Sequence, residues 1–344
     1  MRSETGFVSA ILLSVCLATL HTPVHGQEVI VFGGITNAKA WLDAENWWGE
    51  ENRDEQLLVP RAIITGINPG WRTTAQQLPV AEKKEIFYRF MLPLIVHAND
   101  MVMERRSGLL RMQRNLEAGE VISASDLEAF RTGAVLLRIA DTETAAAMTA
   151  ASPRLPGMIE EALYKLDIIP AGLALGQAAY ESGYGTSRFA VEGNALFGQW
   201  TYGGKGLVPE QQRKKLGDHR IAAFDWPFDS VRGYFLNLMS HPAYEDFRRL
   251  RAELRAAGKP LTSLAMADGL IRYSERGQAY VDTLKGIIRV NGLDIADGAA
   301  FRDEPMRFLV GAGNAEAAAE LEREIASRRD SGELQEIIAR MRLE

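Results

Sequence analysis

The stretch AGLALGQAAYESGYG, residues 171–185, decides the reading of this chain. Residues 171–180 carry no charge on any face, which predicts a helix buried on most sides. Pro170 stands where the first turn would begin, and Gly183 and Gly185 stop the helix. It should therefore run from about Pro170 to Ser182, with its one carboxylate, Glu181, on the last turn. The C-terminal end of a helix presents carbonyl dipoles with partial negative charge, and burial also penalises an anion. Both effects raise the pKa of a carboxyl placed there. Arg188 works against this, because a close cation would hold Glu181 ionised.

Helices dominate on both sides of that stretch. In VAEKKEIFYRFMLPLIVHAND, residues 80–100, Phe87, Phe90, Met91 and Leu94 recur at helical spacing, and Leu92 and Ile95 widen the stripe. Pro93 should kink this helix or divide it in two. Ser125 and Glu128 have the spacing of a capping box for the next helix. DTETAAAMTA and RLPGMIEEALYKLD give two more. From Ala195 to Phe224 the pattern changes to short aromatic or alternating pieces around Gly203, Gly204 and Gly206, which predict a small β-hairpin or a structured loop. Helices resume from Phe228, and from Asn314 the sequence predicts two amphipathic helices rich in alanine, glutamate and arginine, a possible surface for a protein partner.

The chain has 344 residues, 47% hydrophobic and 24% charged, with a formal net charge of −6. No lysine/arginine block stands out, which argues against a nucleic-acid partner. Val8 to Leu20 is a mostly apolar run behind Arg2, too short to span a bilayer comfortably, and Val24-His25-Gly26 ends in a small residue. Residues 1–26 read as an export signal, giving a periplasmic or otherwise extracytoplasmic product with no stable membrane insertion. The one cysteine, Cys16, lies inside that run, so the exported product would hold no disulfide. Residues 27–80 read as a loop-rich arm, 81–155 as a helical lead-in, 156–293 as the catalytic domain and 294–344 as a helical tail.

A glutamic acid kept protonated near neutral pH suits protonation of a glycosidic oxygen. The residues alone leave open that Glu181 only satisfies the backbone or Arg188. The longer stretch LGQAAYESGYGTSRFAVEGNALFGQWT resembles the signature of bacterial cell-wall glucosaminidases, in particular the Bax-like branch of the endo-β-N-acetylglucosaminidase family. The resemblance continues through LPVAEKKEIFYRFMLPLIVHAND and YSERGQAYVDTLKGII, spanning roughly Leu57 to Leu293. It implies a mainly α fold, with a goose-lysozyme-like helical core, a small β-hairpin lobe and an N-terminal helical region before it. It also implies peptidoglycan glycan strands as substrate.

Carried over by the resemblance, Glu181 matches the family's catalytic acid. A second carboxylate is expected on the β excursion, where Glu210 is the best match and Asp218 and Asp225 are alternatives. The PEQQ around Glu210 lacks the tyrosine that often follows this glutamate in the family. A tyrosine beside the acid is also implied, Tyr280 first and Tyr273 second; amphipathic core tyrosines are the competing reading. Tyr184, Asn194, Phe197, Gln199, Trp200 and Tyr202 supply the aromatics and amides that suit flat, hydroxyl-ringed sugars. Glu275 and Arg276 have the placement of a local ion pair.

No cofactor is implied. His97, His219 and His241 form no metal spacing, and the chain has neither a G-x-S-x-G elbow nor a phosphate loop. Three functions remain: hydrolysis of the glycan strand at N-acetylglucosamine, lytic transglycosylation giving anhydromuramyl ends, and non-catalytic binding of peptidoglycan.

Overall fold

The uncharged helix lies at the centre of the molecule. In the computed structural model, which describes residues 28–49, 56–201, 205–209 and 220–331, α7 (Ala171–Ser182) follows six helices: α1 (Ile35–Glu45), α2 (Trp71–Gln77), α3 (Val80–Glu117), α4 (Ala124–Leu136), α5 (Thr142–Ala147) and α6 (Leu155–Lys165). After it come α8 (Arg188–Gly193), α9 (Pro227–Ser240), α10 (Glu245–Ala256), α11 (Ser263–Met266), α12 (Gln278–Val290) and α13 (Ala315–Ser331). The strands are β1 (Glu28–Phe32), β2 (Leu58–Val59), β3 (Ala62–Ile64), β4 (Trp200–Thr201), β5 (Gly206–Leu207), β6 (Arg220–Ala222), β7 (Ala300–Phe301) and β8 (Arg307–Gly311). The fold is mainly α with small sheets. Residues 1–27, which include the expected export signal over residues 1–26, lie outside the described residues.

Every residue of α7 from Ala171 to Ala179 is buried. It packs on α3, α12 and the 3₁₀ turn Leu293–Gly298. Two glycines permit that closeness. A Cβ at Gly172 would lie 2.2 Å from the Leu293 carbonyl oxygen, and one at Gly176 would lie 3.0 Å from Leu284 Cδ1. The chain leading into α7 is held by a buried and an exposed arginine. Arg251 donates to the carbonyls of Asp167 (2.9 Å) and Lys165 (2.6 Å), and Arg255 pairs with both oxygens of Asp167. The Arg251 guanidinium satisfies carbonyls that the end of α6 leaves without partners. At the other side of the entrance, Asp297 accepts from the backbone N–H of Gly172 and of Ser263.

Several local expectations are revised. α3 is one continuous helix through the buried Pro93 and is not divided there. The N-cap of α4 is Ser123, whose hydroxyl accepts from the Asp126 N–H, two residues before the expected Ser125/Glu128 box. The excursion after α7 is a three-stranded antiparallel sheet in the order β4-β6-β5, with Trp200 and Leu207 both opposite Ile221, where a hairpin was the simpler expectation. The stretches expected to be a loop-rich arm and a helical tail share strands. β1 and β3 each pair in parallel with β8, giving the order β1-β8-β3. Arg302 and Arg307 both reach Glu45 at the end of α1, tying the two ends further. Of the two tail helices, α13 is described and residues 332–344 lie outside the described residues.

Among the described residues no helix is long and apolar enough to cross a membrane, and no group of three or more histidine, cysteine, aspartate or glutamate side chains could hold a metal ion.

Candidate active site

α7 ends in a turn that only its sequence permits. Gly183, Tyr184 and Gly185 all take left-handed backbone angles, with φ of 58°, 60° and 73°. Two of the three are glycine, for which that region carries no steric penalty; Tyr184 is held there at a cost of about 1 kcal/mol. Its restraints are visible. The Tyr184 N–H returns to the Ala179 carbonyl (2.9 Å), its own carbonyl accepts from the Trp71 indole N–H (2.9 Å), and its ring meets Phe87 and Tyr88 edge-on. Ser182 completes the turn by donating to the Ala178 carbonyl and accepting from the Gly185 N–H.

Glu181 stands at this turn, half-buried. Burial raises its carboxyl above the usual carboxylate range, and a hydrogen bond from Tyr280 partly opposes the rise. Arg188 does not hold the carboxylate: its guanidinium donates to Glu192 and to the Val208 carbonyl. Tyr280, on α12, is fully buried and its hydroxyl donates to Glu181 Oε1 across 2.9 Å. The same hydroxyl accepts from Gln177 Nε2 at 3.0 Å, and Gln177 Oε1 accepts from the Tyr234 hydroxyl at 2.5 Å. Tyr273 stacks on Tyr280 with ring centroids 5.6 Å apart, and its hydroxyl donates to the Phe197 carbonyl. Burial, together with the nearby Glu181 charge, pushes the Tyr280 and Tyr273 phenols well above the ordinary tyrosine value. These phenols therefore remain hydrogen-bond donors.

The other side of the carboxyl faces Gly198, where an added Cβ would lie 3.5 Å from Oε2. Two aromatics next to these residues in sequence are exposed, Tyr180 (38%) beside Glu181 and Trp200 (49%) two residues after Gly198. Tyr180 packs edge-on against Tyr280, and its hydroxyl accepts from Arg276, which also donates to Thr283.

The remaining candidates divide by what they touch. Phe197 is buried and stacked on Tyr234 at 4.0 Å, so it supports the wall from beneath. The Asn194 amide is consumed by the Phe224 and Asp225 carbonyls and the Ile67 N–H. Gln199 exchanges hydrogen bonds with Ser230. Asp225 pairs with Lys205 at the surface. Glu210, Asp218 and Tyr202 lie outside the described residues. Sequence reasoning missed Gln177, Tyr180, Tyr234 and Gly198. The first two carried a signal, at four residues and one residue before Glu181; Tyr234 sits in an ordinary amphipathic helix and carried none.

Residues 157–293 match the family model described as glucosaminidase, mannosyl-glycoprotein endo-beta-N-acetylglucosaminidase. Over 129 residues the chain is 37% identical to Protein bax of Escherichia coli (strain K12), a match covering 38% of this chain and 45% of that relative. The chain thus spans about half the length of the curated relative it matches. No solved structure matches it. The matched segment runs from α6 through the end of α12 and contains Glu181, Gln177, Tyr234, Tyr273 and Tyr280, so over residues 157–293 this chain carries a domain of the glucosaminidase family.

Proposed function

We propose that the protein is an exported hydrolase that cuts the glycan strand of peptidoglycan at N-acetylglucosamine, with Glu181 as general acid. The observation that carries this reading is the state of Glu181: a half-buried carboxyl with raised proton affinity, one oxygen held by Tyr280 and the other facing Gly198. In the reaction the Glu181 proton passes to the glycosidic oxygen. The bond from that oxygen to the anomeric carbon breaks, and its electrons stay with the leaving sugar. Tyr280 then stabilises the carboxylate left behind. Water adds to the anomeric carbon and gives up a proton, aided by a second carboxylate or by the substrate's own acetamido group. Glu210 is the candidate for that carboxylate by family resemblance. Trp200 and Tyr180 offer exposed rings on which sugar faces can stack.

The test is turnover of purified sacculi by the wild type and by Glu181→Gln, with mass spectrometry of the products. Cleavage by the wild type, lost in the variant, with reducing N-acetylglucosamine ends is the expected result. Wild-type turnover by Glu181→Gln would end the assignment. Anhydromuramyl ends would assign lytic transglycosylation instead, and intact strands bound to the protein would assign a binding role.

A further inference from the structure

Behind Glu181 lies a chain of three buried side chains from three helices. Tyr234 on α9 touches Gln177 on α7, Gln177 touches Tyr280 on α12, and Tyr280 touches Glu181. Gln177 is 0% exposed, and both tyrosines are 1% exposed. An amide can face its neighbours in two ways, and the need for an acceptor selects one. Gln177 lies 2.5 Å from the Tyr234 hydroxyl and 3.0 Å from the Tyr280 hydroxyl. Turning the amide over would leave the buried Tyr234 hydroxyl hydrogen without an acceptor, because Gln177 is its only hydrogen-bond partner among the described residues.

The direction of every bond then follows from valence. The Gln177 carbonyl can only accept, so Tyr234 donates to it. The Gln177 amide nitrogen can only donate, so the Tyr280 oxygen accepts. The single hydroxyl hydrogen of Tyr280 is left to point at Glu181 Oε1. A carboxylic acid receiving a hydrogen bond at Oε1 carries its own proton on the other oxygen. A Tyr280 hydroxyl free to turn would instead accept the Glu181 proton and draw it inward.

We propose that Gln177 and Tyr234 are positioning residues that fix the direction of the Tyr280 hydroxyl and so keep the transferable proton of Glu181 on Oε2, the oxygen facing Gly198. This rests on the reading of Glu181 as the acid. No proton travels along the chain. The proton leaves Oε2 for the substrate, the Tyr280 hydrogen stays on Tyr280, and the new carboxylate meets a donor already aimed at it.

Tyr234→Phe deletes one hydroxyl and keeps the ring stacked on Phe197. The Gln177 amide is then free to turn its oxygen to Tyr280 and take the hydrogen now given to Glu181. The readouts are the Glu181 carboxyl titration by ¹³C NMR in the free full-length protein, assigned with Glu181→Gln, together with kcat and KM on sacculi. Loss of the donor should move the Glu181 midpoint up by about one pH unit. It should also lower kcat about tenfold while KM stays within about twofold. Tyr280→Phe, which removes the donor itself, sets the full size of the movement. An unmoved midpoint in a folded, active Tyr234→Phe overturns the proposal. Should that variant fail to fold, Tyr234→Leu, which also deletes the hydroxyl and leaves the Gln177 amide free to turn, takes its place, and an unmoved midpoint there overturns the proposal equally. Because the titration needs no substrate, a wild type that leaves glycan intact overturns the acid reading of Glu181 and is distinguished from a failure of the positioning by Gln177 and Tyr234.

Discussion

Gly198 stands beside Oε2 of Glu181, with φ of +61° and room for a Cβ only 3.5 Å from that oxygen. The distance itself is ordinary contact, so an added methyl would not collide with the carboxyl. Its penalty comes from the backbone, where an L-residue in the left-handed region costs about 1–2 kcal/mol. It would also occupy space on the side from which a proton must leave. Gly198→Ala should therefore lower the unfolding midpoint modestly and reduce turnover of sacculi by a larger factor than the stability loss explains. Equal activity at temperatures where both proteins are folded would show that Oε2 does not work through this gap.

The raised proton affinity of Glu181 has a sign that denaturation can read. Between the unfolded carboxyl value of 4.5 and the higher folded value, the native state holds the proton more tightly than the unfolded chain does. Stability from this residue is therefore present at low pH and is lost as pH rises through that window. Glu181→Gln removes the titration while keeping a group that can accept from Tyr280. Relative to the wild type, the variant should gain stability as pH goes from 4 to 8 in urea unfolding experiments. A difference that does not change with pH would mean that the carboxyl is solvated like any surface glutamate.

The helical core and the position of Glu181 were legible because both rest on local signals. An uncharged decapeptide followed within five residues by Gly183 and Gly185 can hardly be anything but a buried helix that stops. The parallel sheet β1-β8-β3 was not legible, because its strands lie at opposite ends of the chain. Each strand is five residues or fewer, and register across some 245 to 280 positions leaves no periodicity to read. The same limit applies to the site. Tyr280 was found through a motif, but that its hydroxyl is oriented by Gln177 depends on three helices meeting at one point. Asn194 and Phe197 have the residue types of a sugar subsite, and backbone groups and the core claim them instead. Ser125 and Glu128 met a spacing rule that Ser123 and Asp126 met equally well, and burial of Ile122 and Phe130 fits the earlier start.

Two glycines that look alike in sequence should behave oppositely. Gly172 sits where a Cβ would fall 2.2 Å from the Leu293 carbonyl oxygen and 2.7 Å from Ser263 Oγ. Neither the helix nor the 3₁₀ turn can move without disturbing Asp297, which lies on the turn and accepts from the Gly172 N–H. Gly172→Ala should cost about 3 kcal/mol or more, at the upper end of overpacking penalties. Gly286, inside α12, has no heavy atom within 4 Å of its would-be Cβ and no positive φ. Gly286→Ala should raise stability by about 0.5–1 kcal/mol through helix propensity alone. Urea unfolding of both variants checks the pair, and similar effects from the two would show that α7 does not approach the turn as closely as described.

His97 should set part of the acid limit of the fold. On α3, its ring lies against Phe228 with centroids 4.9 Å apart and near Phe301. Burial pushes its pKa down from 6.5 to about 4, and the Arg61 charge adds to the fall. A histidine lowered in this way binds fewer protons in the native state than in the unfolded chain between those two values. Its favourable neutral state is kept above pH 6.5, and stability is lost as pH falls toward 4. Integrated over that interval, the loss is at most about 3 kcal/mol at roughly 1.4 kcal/mol per unit. His97→Phe keeps an aromatic ring in the same place and cannot titrate. Other titrating groups are shared by the two proteins, so the variant-minus-wild-type difference isolates this residue. That difference should be flat above pH 7 and grow in favour of the variant from pH 6.5 to pH 4 in urea unfolding. A flat difference across the whole range would place His97 in water.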